Sequence, residues 1–181
     1  IHDTVTTCIP THNTNIAISG ACAVSAAVAA AMIDGISLDA VVAAGVFGAE
    51  YGNQFGHTWM GASSATRIRQ AVAIARSSAP PLDRLRRIYD EIGTSLDTQD
   101  AVGSAFGVLV MAKADPLQTA IYAANLSGDA DTVGAIACAI AGAYRGVEAI
   151  PAEIRAQLDA DPVFAGYNVS GLADGLLGVI G

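Results

Sequence analysis

Residues 127–146 constrain the fold more than any other stretch. They read Ser-Gly-Asp-Ala-Asp-Thr and then Val-Gly-Ala-Ile-Ala-Cys-Ala-Ile-Ala-Gly-Ala-Tyr-Arg-Gly. After Thr132 the run is almost wholly apolar or small, which predicts a helix buried on every side, because no polar face is left for water. Asp129 and Asp131 stand two apart at its mouth. Buried carboxylates are costly unless something pairs with them, and two arrangements meet that need. In one, Asp131 caps the helix and Asp129 occupies the preceding turn. In the other, Asp129, Asp131 and the Thr132 hydroxyl offer oxygens to a hard divalent cation. Spacing alone favours the cap.

The chain has 181 residues, of which 52% are hydrophobic and 14% charged, enough apolar mass for one compact domain and too much for disorder. A formal charge of -8 argues against a nucleic-acid backbone as partner, since that demands basic patches. Six of the nine basic residues are arginines between Arg67 and Arg87, so one local cationic surface remains. Cys8, Cys22 and Cys138 form no C-x-x-C pair, which argues against a disulfide framework or zinc knuckle and makes a reducing cytoplasm the default. Residues 16–33 carry no charge and approach the length of a membrane span. They are mostly alanine, however, and lack aromatic anchors and flanking Lys or Arg, so a buried helix and no membrane partner are expected. The chain opens on Ile1 without a cationic leader and reads as the middle of something longer.

Taken in order, residues 1–14 are polar, contain Pro10 and predict loop. Helices are expected over 15–34, stopped by Gly35, and over 38–51, capped by Ser37. Residues 52–61, with three glycines, two of the chain's polar amides, His57 and Trp59, form an irregular segment suited to a surface connection or a binding rim. Ser63 or Ser64 opens a helix to about residue 78. Pro80-Pro81 ends it and starts another over 82–92, with Leu82, Leu85, Ile88 and Tyr89 inward and Arg84, Arg86 and Arg87 outward. Thr98 caps a helix over 99–112, and Asp115-Pro116 opens one over 116–126. Gly146 closes the helix that follows the acidic pair. A short helix over 151–158 and a glycine-rich tail of weakly specified structure complete the chain. No stretch alternates with the period of a strand, so the fold class is all-α, with eight or nine helices.

The acidic pair is not an EF-hand, because Val133 and Ile140 stand where that loop needs an oxygen ligand and a bidentate Glu. The dipole at this helix start mildly opposes a cation, so further acidic ligands are required. Cys8 and His12, four apart, suggest a thiol–imidazole pair or a metal-ligand pair, but nothing nearby completes a nucleophilic triad and the flanking loop disfavours helical facing. His57 reads as an ordinary loop histidine, and Glu50 as an exposed helix-end residue.

The stretch over 127–146 resembles the carboxy-terminal signature of the ADP-ribosylglycohydrolase family, G-G-D-x-D-T, small apolar residues, then A-G-A-x-x-G. Thr11-His12 before an Ala-rich helix is similar to the family's T-H segment, and the helices after Gln99 and Asp115 follow the family's order, so the likeness covers residues 8–146. It implies an orthogonal multi-helix bundle around a binuclear Mg2+ or Mn2+ site, and cleavage of the glycosidic bond between ADP-ribose and a protein side chain or small acceptor. By this resemblance Asp129, Asp131 and Thr132 are metal ligands and His12 lines the ADP-ribose cleft. Ser127 and Ala130 depart from the usual Gly and Thr. The family's Gly-rich segment with its catalytic Glu and its T-D-D-T motif have no counterpart here. The expectation is therefore a single all-α domain over 1–181 that forms the carboxy-terminal portion of a larger protein. It would be active only with its amino-terminal half, while a relative that has lost catalysis is the alternative.

Overall fold

The computed structural model describes residues 1–180. It is all-α, as expected, with no named strand among the described residues and one isolated bridge between Thr14 and His57. The chain divides into two compact units, Ile1–Gly146 and Val147–Gly181. The first contains α1 (His2–Cys8), α2 (Asn15–Ala31), α3 (Leu38–Gly52), α4 (Ser64–Ala75) and α5 (Pro81–Arg87), which continues as a π-helical turn over Ile88–Ile92. It closes with α6 (Thr98–Met111), α7 (Pro116–Ala124) and α8 (Ala130–Arg145).

Helix starts follow local chemistry. The side chains of Thr14, Ser37, Ser63 and Asp115 each accept a backbone N–H from the first turn of α2, α3, α4 and α7. Each such cap satisfies a donor that the helix itself leaves unpaired, and is worth about 1 kcal/mol. The expected cap at Thr98 is not made. Asp97 takes the position without a side-chain bond, because Thr98 is used in packing: a Cβ at Gly20 would lie 2.2 Å from its Cγ2.

Helix α6 is the central element, with ten of its fourteen residues buried, so it has no solvent face. It packs against α4 and α8, while α2 lies along α3. Phe106 is fully buried, a gain of about 2–3 kcal/mol. Its ring fills the space over Gly45, where a Cβ would come within 2.4 Å of it. Gly48 and Gly52 continue that stripe and bring α3 onto the backbone of α2.

Several expectations change. Residues 2–8 are helical, not loop: Thr6 and Thr7 hydroxyls donate to carbonyls four residues back, and Thr4 Oγ1 reaches Ser25 Oγ on α2 at 2.9 Å. Helix α2 ends at Ala31, three residues short of the expected Asp34. On the helix after Pro80, Leu85, Ile88 and Ile92 face in, while Leu82 and Tyr89 are exposed. The π-helical turn at Ile88 shifts the register, so the 3.6-residue period no longer carries Tyr89 inward. Arg84, expected outward, is half-buried and donates to the Ala75 carbonyl at 2.6 Å.

The second unit contains α9 (Ala152–Ala160) and α10 (Val169–Ile180), with 3-10 turns at Val147–Ala149 and Ala165–Tyr167. The glycine-rich tail is thus helical. Asn168, in the left-handed region at φ 44°, accepts the Gly171 N–H at 3.2 Å to start it. No residue of α9 is buried, and Leu172, Leu176 and Leu177 of α10 are exposed. No described helix is long and apolar enough to cross a membrane.

The thiols are all free. Burial pushes Cys8, Cys22 and Cys138 above the ordinary thiol range, and the neighbouring Cys8 adds to the rise at Cys22. A thiol whose folded pKa is raised contributes stability that is complete below the unfolded value and disappears as pH rises through the folded one. Stability should therefore fall as pH climbs past about 8.5. At pH 8 a thiolate-selective reagent should label the folded chain more slowly than the chain in denaturant. Equal rates would contradict the burial.

Candidate metal centre

Two consecutive residues in the left-handed region, Ser127 at φ 67° and Gly128 at φ 68°, turn the chain into α8. Gly128 is required there twice over. Besides its φ, a Cβ would lie 2.2 Å from Thr94 Oγ1 and 2.5 Å from the Thr94 carbonyl oxygen. Ser127 has no such crowding but carries the conformational cost of a side chain at positive φ, about 1–2 kcal/mol. Ser127→Gly should thus stabilise the chain by about 0.5–1 kcal/mol, after allowing for the freer unfolded state. A denaturation midpoint that falls instead would sink this account of the turn.

Asp129, not Asp131, occupies the cap position of α8, with ψ 50°. The expected assignment is thereby corrected, because the double left-handed turn delivers the chain to the helix two residues earlier. Nor does Asp129 act as a cap. Its carboxylate accepts no first-turn backbone N–H and instead accepts the Thr132 hydroxyl at 3.0 Å. Its own N–H donates to the Thr94 carbonyl at 2.8 Å, which ties the turn to the segment before α6. Asp131 and Thr132 lie in the first turn and are exposed, while Asp129 is half-buried. Among the described residues, neither carboxylate pairs with a basic side chain.

Helix α8 also departs from expectation. It buries Val133, Ala137, Ile140 and Ala141, the spacing of one helical face. On the opposite side Asp131, Thr132, Ala135 and Ala139 are exposed. Alanine and glycine are compatible with core or surface, so composition alone could not choose between them; the helix enclosed on all sides is α6.

The donor set suits a hard cation but does not complete its shell. Asp129, Asp131 and Thr132 present oxygens within a single turn, and the Thr132 hydroxyl, donating to Asp129, keeps lone pairs free. Among the described residues there is no group of three or more His, Cys, Asp or Glu side chains able to hold a metal. His12 is exposed and precedes α2; its N–H donates to the Cys8 carbonyl at 2.8 Å. Among the described residues no side-chain hydrogen bond or ion pair links His12 to the acidic turn or to Cys8. The segment over residues 53–61 is laced to the same helix start. His57 N–H donates to Asn13 O at 2.9 Å, Asn15 N–H to His57 O at 3.0 Å, and Trp59 N–H to Asn15 Oδ1 at 2.7 Å. Glu50 is exposed as expected and ion-paired with Arg69. Thr94, which holds Asp129 through its carbonyl, was invisible to motif reading, since a backbone acceptor leaves no residue-type signal.

Fold and site together define an all-α protein with an oxygen-rich helix start. The model of the ADP-ribosylglycohydrolase family matches residues 3–181, and the chain belongs to that family. It is 36% identical over 160 residues to an uncharacterized Escherichia coli (strain K12) protein, YegU. That match covers 88% of this chain and 48% of YegU, so the chain spans about half the length of that relative. No solved structure matches.

Proposed function

We propose that this chain supplies one part of a divalent-metal site in an ADP-ribosylglycohydrolase, with Asp129, Asp131 and Thr132 as ligands to Mg2+ or Mn2+. The observation that carries the reading is the state of Asp129. It stands where a carboxylate normally caps a helix, yet it caps nothing, and its oxygens turn to the Thr132 hydroxyl. Asp131 beside it has no hydrogen-bond or ion-pair partner among the described residues. A carboxylate at the cap position commonly accepts a first-turn backbone N–H, and Asp129 does not.

The shell available here is short of the six oxygens that such cations take, so the amino-terminal half of the protein is the partner that completes it. Two divalent ions, when bound, supply a hold on ribose hydroxyls and an oriented water for hydrolysis of the glycosidic bond. The substrate is an ADP-ribosylated protein or a small ADP-ribosyl compound, and the general acid or base comes from outside these residues. By its match to the family's T-H segment, His12 is the residue of this chain that lines the ADP-ribose cleft. The protein acts in the cytoplasm.

The test joins this chain to its amino-terminal half and follows release of ADP-ribose with and without Mn2+. Metal-dependent release supports the reading. A second reading is a family member that binds without catalysis, with Ser127 and Ala130 departing from the family's usual signature. It predicts metal or ADP-ribose binding by the joined protein but no release.

A further inference from the structure

Asp129 is held by a strap, and the strap has its own anchors. The π-helical turn ends at Gly93, which takes φ 98°. From there residues 93–95 run past the acidic turn, where the Thr94 carbonyl accepts the Asp129 N–H at 2.8 Å. Two side chains pin this short segment from behind, and a third braces the chain just ahead of it. Ser104, fully buried in α6, donates its hydroxyl to the Gly93 carbonyl at 2.6 Å. Asp100, one turn earlier on α6, accepts the Ser95 hydroxyl at 2.8 Å and faces Arg67 Nε at 3.7 Å. Arg67 in turn donates to the Glu91 carbonyl at 2.9 Å, just ahead of the strap. Thr94 is itself buried, and Gly128 sits directly on it, so the turn has no room to slide.

We infer that Ser104, supported by Asp100, is a positioning residue for the ligand Asp129, acting through the Gly93 and Thr94 carbonyls. The metal consequence rests on the site proposed above, whereas the mechanical link does not. Ser104 touches neither Asp129 nor any ligand; it sets the carbonyl path that fixes the Asp129 backbone. Groups that orient a metal ligand from behind typically carry about 10- to 100-fold in metal affinity, because a loose ligand must be ordered at the moment of binding.

The experiment uses the full chain with Mn2+ as probe, amide exchange resolved at Asp129, and thermal melting. Ser104→Ala should speed Asp129 amide exchange about tenfold or more and weaken Mn2+ about tenfold. Asp100→Ala removes the acceptor of the Ser95 hydroxyl and the partner of Arg67, loosens the strap from its other attachment and should act in the same direction, which covers the case of a poorly folded Ser104→Ala. Ser19→Ala is the matched control. Ser19 is a buried serine donating to the Ala49 carbonyl at 2.8 Å, away from the strap. It should lower the melting temperature to a similar degree while leaving Asp129 exchange and Mn2+ affinity as in the wild type. The inference is overturned if the folded variants keep wild-type exchange at Asp129, or if Ser19→Ala moves both readouts as much as Ser104→Ala does. A wild-type chain that binds no Mn2+, alone or joined to its amino-terminal half, would end the metal-site reading, and Asp129 exchange would still decide the strap.

Discussion

Asp129→Asn should abolish most of the divalent-metal affinity of the complete protein while leaving its fold intact. Removing one member of a buried charge pair costs about 3–5 kcal/mol. Asp129 is half-buried, so a discounted 2–3 kcal/mol applies, or roughly a 30- to 150-fold loss in affinity. Without metal, stability should change by no more than about 0.5 kcal/mol, since Asn still accepts the Thr132 hydroxyl and no cap bond exists to lose. Mn2+ in excess should raise the melting temperature of the wild type and not that of the variant, because a ligand that binds only the folded state stabilises by mass action. If Mn2+ stabilises both equally, Asp129 is not a ligand.

The largest effect on folding is expected at Gly48. A Cβ there would lie 2.2 Å from the Cys22 carbonyl oxygen and 2.8 Å from Ala26 Cβ. The first of these is backbone in the middle of α2, which cannot swing aside as a side-chain tip can. Overpacking a core commonly costs 1–3 kcal/mol, and Gly48→Val must also push α3 off α2. A loss of about 4 kcal/mol or more follows, a large share of the ~5–15 kcal/mol that holds a domain together. Gly142 is the counterpart, a helical glycine with nothing within 4 Å of an added Cβ. In this chain Gly142→Ala should stabilise by about 0.5–1 kcal/mol, the ordinary preference for alanine in a helix. Denaturant titration of both variants checks the pair, and similar midpoints would refute the close contact between α2 and α3.

Much of this architecture was legible without coordinates. Ser37, Ser63 and Asp115 announce helix starts because a cap needs only a polar side chain and the next three residues. Gly146 stops α8 at φ 77° for an equally local reason. The acidic turn stood out because two carboxylates and a threonine beside small apolar residues are chemically unusual. Other features escaped. The threonines of α1 look like loop formers until Thr4 meets Ser25 across 21 residues. Tyr89 fits an inward face until the π-helical turn is known.

What the sequence by itself determined is therefore local: the all-α class, most helix starts, and the residues that crowd into the turn before α8. These follow from bonds made within a few residues of one another. Tertiary structure alone decided that α6 is the enclosed helix and α8 an open one, because alanine and glycine pack as readily as they face water. It also decided that Asp129 stands at the cap position without capping. The Thr94 carbonyl holds its N–H from 35 positions earlier in the chain, and no reading of neighbouring residues can supply an acceptor so remote.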